Sequence, residues 1–253
     1  SGRKGPFSED AGTIFDGRKR KDRNVTARGT WTLQRALLVI AMTALSLTGT
    51  RAAGADLPPL PEVIAGIQRQ YDGMTDLRAR FVQEISLSAM QRTDREEGTL
   101  SWKKPQRMLW DYDKPRAKKL IINHRQAWLY IPEDRAAYTQ KTATLLKSQT
   151  AVRLFSGFSR LMEDFEIRFA QPSGKDREGN YLLLLTPKGR ETGASDIVVT
   201  VDPERHLVTR CRFVDAYGNV TRLSLTQIQT DRRLPDRLFN FEPPPGVDVL
   251  PLP

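Results

Sequence analysis

Few residues of this chain have the chemistry for catalysis or metal binding. Cys211 is the single cysteine, so it forms no intramolecular disulfide. A nucleophilic thiol needs a base, and His206 is close in sequence, but a free cysteine in a strand reads first as a small core residue. His124 and His206 are the only histidines and lie in turn-like contexts, with no ligand-spaced cysteine or carboxylate cluster to make a zinc site. Asp111, Asp113 and Glu133 sit among basic residues and turns, where solvated charge is the default reading. The sequence has no G-x-S-x-G elbow, no H-E-x-x-H, no phosphate-cradling loop and no G-x-G-x-x-G after a strand. The expectation is a binding protein with no enzymatic activity, no cofactor and no metal.

What it would bind is indicated by the stretch from Gly98 to Pro132, which holds three of the four tryptophans. It reads as three short strands broken by the Lys-Pro steps at 104–105 and 114–115, since proline donates no ladder bond and keeps its predecessor extended. Leu100 and Trp102 alternate with polar residues, as do Met108, Trp110 and Tyr112, then Leu120 and Ile122, then Trp128 and Tyr130. Side chains two apart on a strand share a face, so each piece presents bulky apolar groups to one side. Two readings stay open on this pattern: a sheet with one packed and one wet face, or aromatics lining a cavity for an apolar ligand.

The order of these pieces resembles the periplasmic outer-membrane lipoprotein carrier family of the LolA type. Gly98-x-Leu, a Lys-Pro step, Leu109-Trp-x-Tyr112, a Leu-Ile-Ile strand and a Trp128-Leu-Tyr-x-Pro132 strand follow in the family's order. So do Phe81-Val-Gln83 upstream, Leu185-Thr-Pro-Lys188 midway and Phe239-Asn-Phe-Glu-Pro-Pro-Pro-Gly-Val247 near the end. The resemblance implies an α+β fold: an incomplete, strongly curved antiparallel β-barrel with helices lidding an apolar concave face. It implies an acyl-chain cavity lined by Leu100, Trp102, Met108, Trp110, Leu120, Ile122, Trp128 and Tyr130, with Phe155, Phe158 and Met162 from the lid. The family commonly holds its empty form shut with an arginine before the proline of the Lys-Pro step. Lys104 stands there, which implies a latch that is either weaker or shared with Arg107. The implied partners are acylated lipoproteins, an ATP-driven lipoprotein-releasing transporter in the inner membrane and a lipoprotein receptor at the outer membrane. The carrier would work as a monomer in the periplasm of a Gram-negative bacterium.

The elements that must position these residues follow from the rest of the chain. Residues 1–30 lack apolar periodicity and read as a disordered leader or a start site set too far upstream; the charge run Arg18–Lys21 reads as solvated. Residues 31–55 read as a secretory signal: basic residues, the apolar run from Arg35 to Leu47, then small residues, with cleavage after Ala55. Residues 1–55 hold 10 Lys and Arg against 4 Asp and Glu, so the net charge of +10 falls to +4 for residues 56–253, and nucleic-acid binding loses its support. That remainder is one domain's worth of chain.

Leu60 opens a helix with Pro61 in its first turn and Asp72-Gly73 at its end. Strand spacing follows from Leu77 to Leu87, and Arg92 to Glu97 reads as a charged turn. Ala136–Gln140 reads as a strand, and Val152, Phe155, Phe158, Met162 and Phe165 as the stripe of a second helix. Strands at Glu166–Ala170, Tyr181–Thr186, Asp196–Val201, Leu207–Val214 and Val220–Thr230 complete an antiparallel meander. The competing functions are a half-barrel lipid or glycolipid carrier, an envelope lipid-sensing regulator, and a structural or assembly module whose aromatics are plain core.

Overall fold

The computed structural model describes residues 57–148, 161–170, 173–188 and 194–252, all within the unit Asp56–Pro253. The leader, the apolar run of the expected signal and most of the expected second helix, with Phe155 and Phe158, lie outside the described residues. No helix among the described residues is long and apolar enough to cross a membrane.

Helix α1 (Leu60–Gly73) forms where the apolar period is helical, with proline in its first turn. It buries Val63, Ile64, Ile67 and Tyr71. Among the described residues, eleven strands then run in two meanders. The first comprises β1 (Asp76–Leu87), β2 (Arg92–Lys103), β3 (Arg107–Lys114), β4 (Lys118–Ile122), β5 (Gln126–Ile131) and β6 (Ala136–Lys141). Short helices α2 (Thr142–Ser148) and α3 (Leu161–Asp164) intervene. The second comprises β7 (Phe165–Phe169), β8 (Tyr181–Pro187), β9 (Ala194–Val201), β10 (Val208–Asp215) and β11 (Val220–Thr230). A last strand, β12 (Asp248–Pro251), joins the edge of β6 in parallel.

The result is one open 12-stranded sheet in the order β12-β6-β5-β4-β3-β2-β1-β11-β10-β9-β8-β7, antiparallel except at β12. The meanders meet at β1, which pairs with β2 on one side and β11 on the other. One apolar cluster joins α1 to residues of both meanders, from Trp110 on β3 to Leu183 on β8, so the sheet curls around the helix.

Three sequence expectations are corrected. Arg92 to Glu97 is strand, the reversal lying instead at a 3-10 turn over Ser88–Met90. Its charges are accommodated by pairing: Arg95 with Glu84 at 2.7 Å and Lys118 with Glu96 at 2.6 Å. The Gly98–Pro132 stretch contains parts of four strands, because Asn123 accepts from the Arg125 and Gln126 amides and turns the chain after Ile122. Phe165 begins β7 and is not on a helix.

Gly98 is required by packing. The ring of Phe81 meets Trp110 and Tyr112 edge-on, at centroid distances of 5.1 and 5.0 Å. A Cβ on Gly98 would fall 2.2 Å from the Asp111 carbonyl oxygen and 2.8 Å from the Phe81 ring. Because the nearest obstacle is backbone, Gly98→Ala is expected to destabilise the fold by about 1–3 kcal/mol, read as a lower midpoint in urea denaturation.

Candidate functional site

The concave face follows from the pairing register. Leu77 on β1 lies opposite Trp102 and Ala79 opposite Leu100. Across the next ladder Leu100 faces Trp110 and Trp102 faces Met108, and beyond it Met108 faces Ile122 and Trp110 faces Leu120. Leu100, Met108, Trp110 and Ile122 are at most 2 % exposed, and Leu120 packs against them partly buried. The second meander continues the surface through Leu183, Val199, Cys211 and Leu223.

Trp128 and Tyr130 do not join this lining. Ile121 faces Trp128 and Lys119 faces Tyr130, which puts both aromatics on the convex side with Leu109 and Ile121. There the chain's end covers them. Phe241 packs on Trp128 at 5.5 Å and on Tyr130 at 5.1 Å, beside fully buried Phe239. The Phe-Asn-Phe-Glu-Pro motif is thus an outer clasp. Met162 is 51 % exposed on α3, whose carbonyl oxygen at that residue accepts from Lys188 Nζ at 2.6 Å.

Helix α1 covers the concave face. At Gly66 a Cβ would lie 2.2 Å from the His206 ring, so the helix sits directly on the turn before β10. The Val208 amide donates to the Tyr71 hydroxyl at 3.2 Å, and burial pushes that phenol well above its ordinary pKa. At the far end Lys104 Nζ donates to the Asp72 carbonyl at 2.7 Å, and its own amide to Thr75 O at 3.0 Å. A cation on the last carbonyls of a helix is favoured by the helix dipole.

Arg107 takes no part in this contact. It pairs with Asp236 at 2.9 Å, where Lys103 also binds at 2.6 Å, tying the β2–β3 hairpin to the outer clasp.

At the other end of β2, Arg92 to Glu96 line a cleft of about 590 Å³ with Pro115, Arg116, Lys118 and Ile131. Lys118 bridges Glu96 and the face of Tyr112, its Nζ 4.5 Å from the ring centroid. Burial, with Glu96 second, raises the Tyr112 phenol.

Burial pushes the Cys211 thiol up to about 12 within the apolar cluster. No group of three metal-ligating side chains occurs among the described residues.

Phe81, Tyr112 and Leu77 also belong to this apolar cluster and were not among the residues expected there. Phe81 and Gly98 each begin a motif quoted above, and that was the available signal.

A family model described as "Outer membrane lipoprotein carrier protein LolA" matches residues 72–242. The outer-membrane lipoprotein carrier protein of Chromobacterium violaceum is 26% identical over 199 residues, covering 79% of this chain and 92% of that one. That of Methylococcus capsulatus is 28% identical over 179 residues, covering 70% and 82%. That of Pseudomonas paraeruginosa is 27% identical over 218 residues, covering 85% and 99%.

Two predictions follow from the polar ties. Lys104→Ala is expected to speed amide exchange at Gln70–Met74 while leaving the sheet amides unchanged, read by hydrogen-exchange mass spectrometry. The Lys103 bond, and then Arg107, hold the Asp236 carboxyl below the usual carboxylate range. A depressed folded pKa adds stability that is complete above the unfolded value of about 3.9 and is lost as pH falls through the folded one. Asp236→Asn is therefore expected to flatten part of the acid limb of the stability curve below about pH 4 while leaving the slope near neutrality unchanged.

Proposed function

Since the chain belongs to the outer membrane lipoprotein carrier protein LolA family, we propose that it carries lipoproteins through the periplasm, holding their acyl chains against the concave face under α1. The observation that carries this reading is the continuous apolar cluster that spans both meanders and α1 in a sheet left open. An acyl chain of some 15 methylenes, at about 0.8 kcal/mol each, is worth roughly 12 kcal/mol in hydrocarbon. It crosses water only inside a comparable apolar surface, and that surface must be hidden when empty.

Leu100, Trp102, Met108, Trp110, Leu120 and Ile122 are the proposed lining, and α1 is the proposed lid. Lys104 is the proposed latch, because it is the side chain that bonds the lid's last turn. An inner-membrane ATP-driven transporter would load the carrier and an outer-membrane receptor would unload it. Direction then requires that the receptor hold the acyl chains more tightly than the carrier does. Residues 31–55 would act as the export signal, leaving residues 56–253 as the carrier domain.

The test is capture of the full chain from periplasm, with mass spectrometry of what accompanies it. Acylated protein is expected with the wild type. Trp110→Glu places a charge on the floor of the concave face and is expected to lose that cargo at least tenfold, since an unpaired buried charge costs several kcal/mol. A folded Trp110→Glu protein that still carries acylated protein would remove Trp110 from the lining. A wild type that never brings down acylated protein would overturn the reading.

A further inference from the structure

Trp102 has a polar atom that the fold leaves unused. Its side chain is 8 % exposed, and its indole Nε1 is buried with no hydrogen-bond partner among the described residues. The cross-strand neighbours of Trp102 are Leu77 and Met108, with Ile122 beyond Met108. These side chains are hydrocarbon or thioether, and none offers a strong acceptor. A buried donor left unmade is expensive, and phenylalanine would fill a comparable space at no such cost.

We propose that the Trp102 Nε1–H is the hydrogen-bond site for the carbonyl oxygen of a bound acyl chain. This rests on the carrier reading above and adds what fixes the cargo's position. An acyl chain is hydrocarbon except where it joins its carrier molecule, and there it bears a carbonyl, in an ester or an amide. Buried alone in the apolar cluster, that carbonyl would be as poorly served as the indole N–H is. Paired, each satisfies the other in a low-dielectric surrounding, where the bond is electrostatically stronger than in water. The bond would set the depth to which the chain enters and would select acyl over alkyl ligands. A site built to hydrogen-bond one group discriminates against the analogue that lacks it.

The experiment measures binding of three micelle-free lipopeptide probes to the full chain and to Trp102→Phe. One probe has two ester-linked chains on S-glyceryl cysteine, the second has the same chains ether-linked, and the third is the ether form with an added N-acyl amide. Wild type is expected to bind the ester probe about fivefold more tightly than the ether probe, the worth of one net hydrogen bond. Trp102→Phe is expected to bind ester and ether alike, and empty to melt no lower than wild type. The amide probe tells which carbonyls reach the indole: rescue of affinity by the amide means that an N-acyl carbonyl serves as well as an ester, and no rescue confines the site to the esters.

A Trp102→Phe protein that keeps the ester preference, or that loses both probes equally, would overturn the inference. Equal and tight binding of all three probes by wild type would overturn it while leaving the carrier reading intact. Failure of wild type to bind any of them would overturn both. Should Trp102→Phe not fold, the wild-type indole N–H resonance decides: a downfield shift and slowed exchange with the ester or amide probe, absent with the ether probe, supports the inference, and no such difference overturns it.

Discussion

Everything in this structure depends on a two-residue alternation held in register across a sheet of twelve strands. β3 shows it most clearly. Met108, Leu109 and Trp110 are consecutive, all are buried, and they go to two different clusters, Met108 and Trp110 inward and Leu109 outward. A strand apolar on both faces needs two coverings. The coverings come from before and after the strands of the two meanders, α1 beneath the concave side and the Leu234–Phe241 segment over the convex side. Slipping one ladder by a single residue would exchange the coverings' partners along a whole strand.

The aromatic trio at Phe81, Trp110 and Tyr112 shows how the inner surface keeps its shape. Three rings in edge contact fix one another's rotamers, and the absence of a side chain at Gly98 makes room for them. The cover is held differently. α1 is bound mainly by its apolar stripe, with polar ties through Tyr71 in its last turns and Lys104 at its end. A lysine offers a single flexible ammonium where an arginine would offer a rigid fork of five donors.

Much of this was legible in the residues. The helix from Leu60, the one-sided apolar alternation from Leu100 to Ile122 and the later strands follow from period alone, and the structure has them within a residue or two. The side taken by Trp128 and Tyr130 did not, for a physical reason. Alternation says that the two share a face, but which face depends on how the turn after Ile122 is closed, and that is set by Asn123 accepting two backbone amides. The charged opening of β2 looked like a turn because its compensating partners, Glu84 and Lys118, are far along the sequence or on another strand. Arg107 and Lys104 look interchangeable in sequence, yet the β2–β3 hairpin directs one to the outer clasp and the other to the helix.

An open sheet has two raw edges, and β12 treats one of them. Asp248 and Leu252 donate their amides back to the carbonyls of Arg135 and Thr139, so backbone groups of the opposite parity look outward. The outward positions belong to Val249 and Pro251, and proline has no amide hydrogen to offer. A neighbouring molecule approaching this rim finds a four-residue strand with one donor struck out. A further strand on this side would have to pair without the donor that Pro251 lacks.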